Sequence, residues 1–266
     1  MTVSRGRLQI FPTAGEIGAW LGARLLSEIE HARTTGRRYV LGCPTGRTPR
    51  PIYDAIATQL EASPQDLSHV VLAMMDEYLV QHGQRLEYAP SDKPWSCHHF
   101  ALHEITARWN ASVPEKFKMP AASVWFPDPR NPEAYDARIA DAGGVDFFIL
   151  ASGATDGHVA FNPPGSRRDT RTRIIALSEQ TRRDNLQTFP AFGTIAAVPK
   201  HGVSVGIATI TNSRAAAMVL TGASKRESLS RILKTERYDP QWPATLIHEF
   251  PAAEILADRE AAADLG

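Results

Sequence analysis

The stretch Arg37–Glu61 reads RRYVLGCPTGRTPRPIYDAIATQLE. Tyr39 to Leu41 form a short apolar run suited to a buried strand. Gly42–Pro49 then supplies the glycine, proline and hydroxyl residues of a turn. PRPIYDAIATQLE, from Pro49, reads as a helix, with proline tolerated in its first turn.

The same alternation extends in both directions. GEIGAWLGARLLSEIEHARTTG carries Ile17, Trp20, Leu21, Leu25 and Ile29 at helical spacing, and Gly36 is a plausible stop. LSHVVLAMMDEYL reads as a strand running into polar residues, and GGVDFFILASG reads as another. VSVGIATI is mostly apolar, SRAAAMVLTG holds a helix or turn followed by a strand, and SKRESLSRILKT reads as a helix. Apolar strands separated by helices predict an α/β fold with a mainly parallel sheet covered on both sides. At 266 residues the chain suits a single domain over 1–266 and can bury a real core. Gln81 to Arg138 breaks the pattern: with seven prolines and the cluster WSCHHF, it predicts a long irregular excursion at about 81–138 over one sheet edge, a lid in outline.

Charge narrows the function. The 29 basic residues balance the 29 acidic ones, so there is no overall electrostatic reason to bind nucleic acid or an anionic membrane. Cys43 and Cys97 make neither a disulfide framework nor a zinc-thiolate site. No leader-like pattern opens the chain, and no apolar run approaches the ~20 residues of a membrane span, so a cytoplasmic location is expected.

Ligand sites in parallel sheets form beyond the carboxyl ends of the strands. Four polar clusters fall there: Thr45–Thr48, Asp76–Glu77, Asp156–His158 and Gly222–Lys225. Backbone N–H groups around Gly46, with the hydroxyls of Thr45 and Thr48, suit an anion at a helix N-terminus, though an ordinary tight turn would look similar. The glycine spacing of a nucleotide P-loop is absent. Lys225, at a second strand–loop–helix junction, can give a point charge to a phosphate or simply face solvent. Arg171 and Arg173 lie two apart on a probable strand and share one side of it. Asp76 ends a buried run, where desolvation would raise its pKa and suit it to proton abstraction; a helix-capping aspartate is the alternative. His158 titrates near neutrality, and Asp156 is placed to orient it. His98, His99, His103 and Glu104 form a dense cluster without the order of a zinc hydrolase, so no metal and no other cofactor is expected.

In this order, LGCPTGRTPRPIYDAI, MMDEYL, ASGATDGHVAFNPPGS, TRTRIIALSEQTRRDN, VPKHGVSVGIATI and VLTGASKRESLSRIL resemble the glucosamine-6-phosphate deaminase/isomerase family, related to the 6-phosphogluconolactonases. EFPAAEILADREAA continues the likeness to the C-terminus. Lactonases usually carry Asp-Glu-Arg where this chain has DEY, and Thr-Ala-Ser where it has VAF. The resemblance implies a Rossmann-like fold without nucleotide or metal. It implies that Thr45, Gly46, Thr48, Arg173 and Lys225 hold the phosphate of a sugar. It further implies that Asp76 moves a proton between C2 and C1, and that His158, with Asp156 beside it, assists ring opening. The implied reaction is isomerisation with deamination of a 2-amino-2-deoxyhexose 6-phosphate. A homo-oligomer stays open, since relatives range from single chains to larger assemblies.

Three departures stand out. Pro163 occupies the position where the deaminases normally have a glutamate completing the Asp-His-Glu arrangement. Arg47 stands in the anion loop where a small residue is usual, adding a guanidinium for a phosphate. WSCHHF replaces the usual tyrosine-rich lid segment and offers His98 or His99 to a substrate. They keep three other readings open: isomerisation of a related anionic sugar without ammonia release, lactone hydrolysis, and a non-catalytic sugar-phosphate sensor.

Overall fold

The computed structural model describes residues 7–265; of the domain expected over 1–266, residues 1–6 and 266 lie outside the described residues. The chain runs β1 (Arg7–Phe11), α1 (Ala14–Thr34), β2 (Tyr39–Cys43), α2 (Arg50–Ala62), β3 (Val70–Met74), β4 (Asp76–His82) and β5 (Arg85–Tyr88). Helix α3 (Cys97–His99) continues through a π-helical segment, Phe100–Thr106, into α4 (Ala107–Ala111). Then follow β6 (Val124–Trp125), α5 (Glu133–Asp141), β7 (Phe147–Ala151), β8 (Arg173–Ala176), α6 (Glu179–Thr188) and β9 (His201–Ser204). Helix α7 (Ile207–Thr211), β10 (Ala215–Leu220), α8 (Arg226–Leu233) and β11 (Glu254–Asp258) complete it.

Among the described residues, seven strands form one sheet in the order β1-β11-β10-β7-β2-β3-β6, every pair parallel. Side chains alternate across it because the strand period is two. Tyr39, Leu41, Cys43, Val70, Leu72 and Met74 enter an apolar layer shared with α1, α2 and the α3–α4 helix. Val40, Val71, Ala73, Phe148 and Met218 enter a second, shared with α5, α7 and α8. This is the fold expected from the sequence: a Rossmann-like, mainly parallel sheet with helices on both faces. Helix α1 is set by a capping box in which Thr13 Oγ1 accepts from Glu16 N–H at 3.3 Å and Thr13 N–H donates to the Glu16 carboxylate at 3.0 Å.

Two departures from the sequence reading shape the site. LSHVVLAMMDEYL is not one strand: the chain leaves the parallel sheet after Met74 and enters a second, antiparallel sheet at Asp76, in the order β5-β4-β9-β8. Met75 bridges the two, its N–H donating to Cys43 O at 3.2 Å and its carbonyl accepting from Val205 N–H at 2.8 Å. Residues 81–138 are also less irregular than expected. They contain β5, the α3–α4 helix, β6 at the edge of the parallel sheet, and the start of α5. Pro114, Pro120 and Pro132 each precede a helical turn, where a missing N–H costs little.

Candidate active site

Beyond the carboxyl ends of β2, β3, β7 and β10 lies a cavity of about 450 Å³, the size of a small-molecule site. Thr45, Gly46, Arg47, Thr48, Asp76, His158 and Lys225 all line it, so the four clusters read from sequence converge.

One end is built for an anion. Gly46 takes φ of +100°, a conformation that favours glycine, and folds the loop over the start of α2. No side chain caps that helix N-terminus, where Pro51 brings no N–H and Ile52 N–H donates to Pro49 O at 2.9 Å, so the groups that line the cavity here are those of the loop Thr45–Thr48. Tyr53 Oη donates to Pro44 O at 2.8 Å and pins the loop from below. Across the cavity, Lys225 donates through Nζ to Ser152 O, and burial lowers its pKa while Asp184 opposes the shift. The loop carrying it is held by Asp258, whose two oxygens accept from Gly222 N–H at 3.0 and 2.9 Å. Arg47 is exposed at the rim.

Arg173, expected at the phosphate, is not among the lining residues. It sits on β8, beyond β9, and its Nη1 donates to Asn162 Oδ1 at 2.9 Å. Asn162 is fully buried and donates in turn to Val159 O and Val205 O, at 3.0 and 2.8 Å. The guanidinium therefore clamps the segment after His158. Arg171, expected two residues before it on the same strand, lies instead exposed in the loop before β8 and is likewise absent from the lining.

The same lining includes a buried carboxylate. Asp76 is 6% exposed, and burial pushes its pKa up to about 7, with Cys97 lowering it, Glu77 raising it and His158 lowering it. Cys97 Sγ lies 3.4 Å from Asp76 Oδ1 and 3.6 Å from Thr45 Oγ1. The neighbouring Glu77 is fully buried and points the other way along β4, as alternation requires. Its carboxylate accepts from Tyr78 N–H, Ser96 Oγ–H, Cys97 N–H and His98 N–H, and His98 Nδ1 lies 2.6 Å from Oε2. His98 is thus turned from the cavity, stacked on Phe126 at 3.6 Å, while the His99 ring meets His103 at 4.3 Å. Neither lines the cavity, which corrects the expectation that they face a substrate.

In the same lining, His158 Nδ1 is 2.7 Å from Asp156 Oδ1, and Asp156 Oδ2 accepts from Thr181 Oγ1 at 3.2 Å. Burial raises the Asp156 pKa, but hydrogen bonds and the charge of His158 outweigh it and leave the group below its ordinary value. Gly153 makes room for the pair: a Cβ there would sit 2.3 Å from both Asp156 Oδ1 and His158 Nδ1. Ala160, in the lining, holds φ of +52°, a left-handed alanine just after the histidine. Pro163 lies outside the lining and accepts from Ser166 through its carbonyl.

Helix α6 adds residues to the site beyond those expected from the sequence. Thr181, Asp184 and Thr188 recur on one face of it, a spacing visible in the sequence. Asp184 and Thr188 line the cavity. Asp156, His158 and Asp184 bring ligand-capable atoms within 4.8 Å of one another, the grouping among the described residues with the donors for a metal ion. Asp184 Oδ1 accepts from Gln180 Nε2 at 3.1 Å, whereas its buried Oδ2 has no hydrogen-bond partner. Tyr78 and Phe161, packed with ring centroids 5.0 Å apart, form an aromatic wall beside Asp76.

Known proteins are similar to this chain in sequence and fold. The family model described as glucosamine-6-phosphate isomerases/6-phosphogluconolactonase matches residues 12–255. A glucosamine-6-phosphate deaminase of Beutenbergia cavernae is 34% identical over 232 residues, 85% of this chain and 81% of that protein. One of Mycolicibacterium smegmatis is 33% identical over 259 residues, 95% and 90% of the respective chains. The solved structure of a monomeric glucosamine-6-phosphate deaminase superposes with a TM-score of 0.79 at 26% identity, covering 97% of this chain and 99% of that one. A 6-phosphogluconolactonase from Thermotoga maritima, at 19% identity and a TM-score of 0.62 over 95% and 97%, shares the fold. No helix among the described residues is long and apolar enough to cross a membrane. The chain belongs to the glucosamine-6-phosphate isomerase/6-phosphogluconolactonase family and is an enzyme of its isomerase/deaminase type, with a sugar phosphate as its class of substrate.

Proposed function

We propose that this enzyme converts glucosamine 6-phosphate and water to fructose 6-phosphate and ammonia. The observation that carries the reading is one cavity lined together by the loop Thr45–Thr48, Lys225, Asp76 and His158. The phosphate is taken by the N–H groups and hydroxyls of Thr45–Thr48 with Lys225 and Arg47, which anchors the sugar by a group remote from the reacting carbons. His158, oriented by Asp156, gives a proton to the ring oxygen as the pyranose opens. Asp76 takes the proton from C2 and returns it to C1, while O1 gains a proton as the nitrogen gives one up, leaving an imine at C2 and a hydroxyl at C1. Water adds to that carbon and ammonia departs. A carboxylate with a pKa near 7 suits both halves of this transfer, being basic enough to accept the proton and acidic enough to release it.

Asp184 supplies the second carboxylate near His158 that Pro163 cannot. Its closeness to Asp156 and His158 and its unpartnered Oδ2 support that role. The likeness to deaminases above 30% identity supports deamination over lactone hydrolysis. The test is ammonia release and ketose formation, followed together with glucosamine 6-phosphate. Equimolar products are expected. Ketose without ammonia would make the enzyme an isomerase only, and neither product would overturn the assignment of substrate.

A further inference from the structure

We propose that Cys97 is a positioning residue for Asp76, its thiol donating a hydrogen bond to the carboxylate and tying it to the anion loop through Thr45. The Sγ atom stands 3.4 Å from Asp76 Oδ1 and 3.6 Å from Thr45 Oγ1, both within reach of a sulfur hydrogen bond. Cys97 is 1% exposed, and burial raises its thiol pKa far above neutrality, so the sulfur keeps its proton and acts as the donor.

The thiol cannot drift, because its backbone is fixed on the far side. Ser96 caps α3 by accepting from His99 N–H at 3.4 Å and donates to Glu77 Oε2 at 2.9 Å. Glu77 Oε1 accepts from Cys97 N–H at 3.0 Å. Asp76 and Glu77, adjacent on β4, thus grip the same residue, one through its side chain and one through its main chain. The choice of sulfur has a chemical consequence. A desolvated carboxylate needs a donor to hold its position, but a strong donor would favour the ionised form and weaken it as a base. A thiol is a weak donor, so it orients Asp76 while leaving it able to take a proton.

The other groups facing Asp76 are Glu77 and Tyr78 from its own strand, Tyr53 from α2 and His158 from the loop after β7. Ser204 is its neighbour on β9. C97A and C97S keep every one of these residues and change only the side chain at position 97.

The inference takes Asp76 as the proton carrier of the proposed reaction, so the test reads Asp76 without substrate. Wild-type, C97A and C97S proteins labelled with ¹³C in aspartate are titrated by NMR, with D76N identifying the Asp76 carboxyl signal. Loss of the donor in C97A should move the Asp76 midpoint upward by about half a pH unit or more. Serine, a stronger donor, should return it to the wild-type position or below. An unmoved midpoint in C97A overturns the proposal.

The second readout keeps Cys97 in place. The Raman S–H stretch of Cys97, assigned by difference from C97S, should shift to higher frequency in D76N as its acceptor loses charge. An unshifted band overturns the proposal equally. Absence of ammonia release from glucosamine 6-phosphate would leave both measurements standing, so failure of the substrate assignment and failure of this inference are separable.

Discussion

His158 Nδ1 stands 2.7 Å from Oδ1 of Asp156, and the same carboxylate is held from behind by Thr181 Oγ1 at 3.2 Å. The carboxylate fixes the plane of the imidazole and leaves Nε2 as its free edge. H158Q should lower kcat by about 10²–10⁴-fold, the range for loss of a positioned acid or base. D156N keeps the shape but weakens the orienting bond, and its loss should be smaller. Equal, undetectable effects of both on turnover would remove this pair from the mechanism.

Asp76 carries the clearest pH dependence. Turnover needs its ionised form, so kcat should rise with pH through about 7. D76N should cut turnover by at least about 10³-fold while retaining sugar phosphate binding. Stability runs the other way. The folded-state pKa of about 7 stands above the ordinary 3.8, so the associated stability is complete below about pH 4 and is lost as pH rises through 7. D76N cannot ionise and should gain on wild type across that window by roughly 2–4 kcal/mol, measured by denaturant unfolding at pH 5 and pH 8.

Lys225 and Arg173 separate binding from scaffolding. K225A should raise KM for a sugar phosphate by about 10–100-fold and weaken competition by inorganic phosphate to a similar degree. R173M should leave inhibition by phosphate nearly unchanged, since that guanidinium serves Asn162. Its cost should appear in stability, about 1–3 kcal/mol, because the Asn162 Oδ1 it serves is buried. A large rise in the phosphate inhibition constant of R173M would restore the role first expected from sequence.

Asp184 tests whether Pro163 is compensated. D184N removes a carboxylate beside His158 and beside Lys225. Turnover should fall by about 10-fold or more, whereas inorganic phosphate should bind more tightly as the negative charge opposing it disappears. D184E should recover part of the turnover. A variant with wild-type turnover would place Asp184 outside the chemistry.

The sequence by itself determined the alternation of buried strands and helices, because apolar periodicity reports which faces a segment must bury. It also placed Thr45–Thr48, Asp76, His158 and Lys225 at strand ends, since turn chemistry and apolar runs mark those ends locally. Only the tertiary structure decided what meets there. The switch of sheets at Met75 takes Asp76 out of an apparently continuous strand and seats it beside Cys97, twenty-one residues away in the chain. Arg173 looked equivalent to a ligand-facing arginine, and only the order β5-β4-β9-β8 shows that its side chain meets Asn162 instead. Asp184 lay on a polar helix with no apolar pattern to mark its inner face. Local pattern encodes burial and turning, whereas the partners of a polar side chain depend on which distant segments the sheet order brings together.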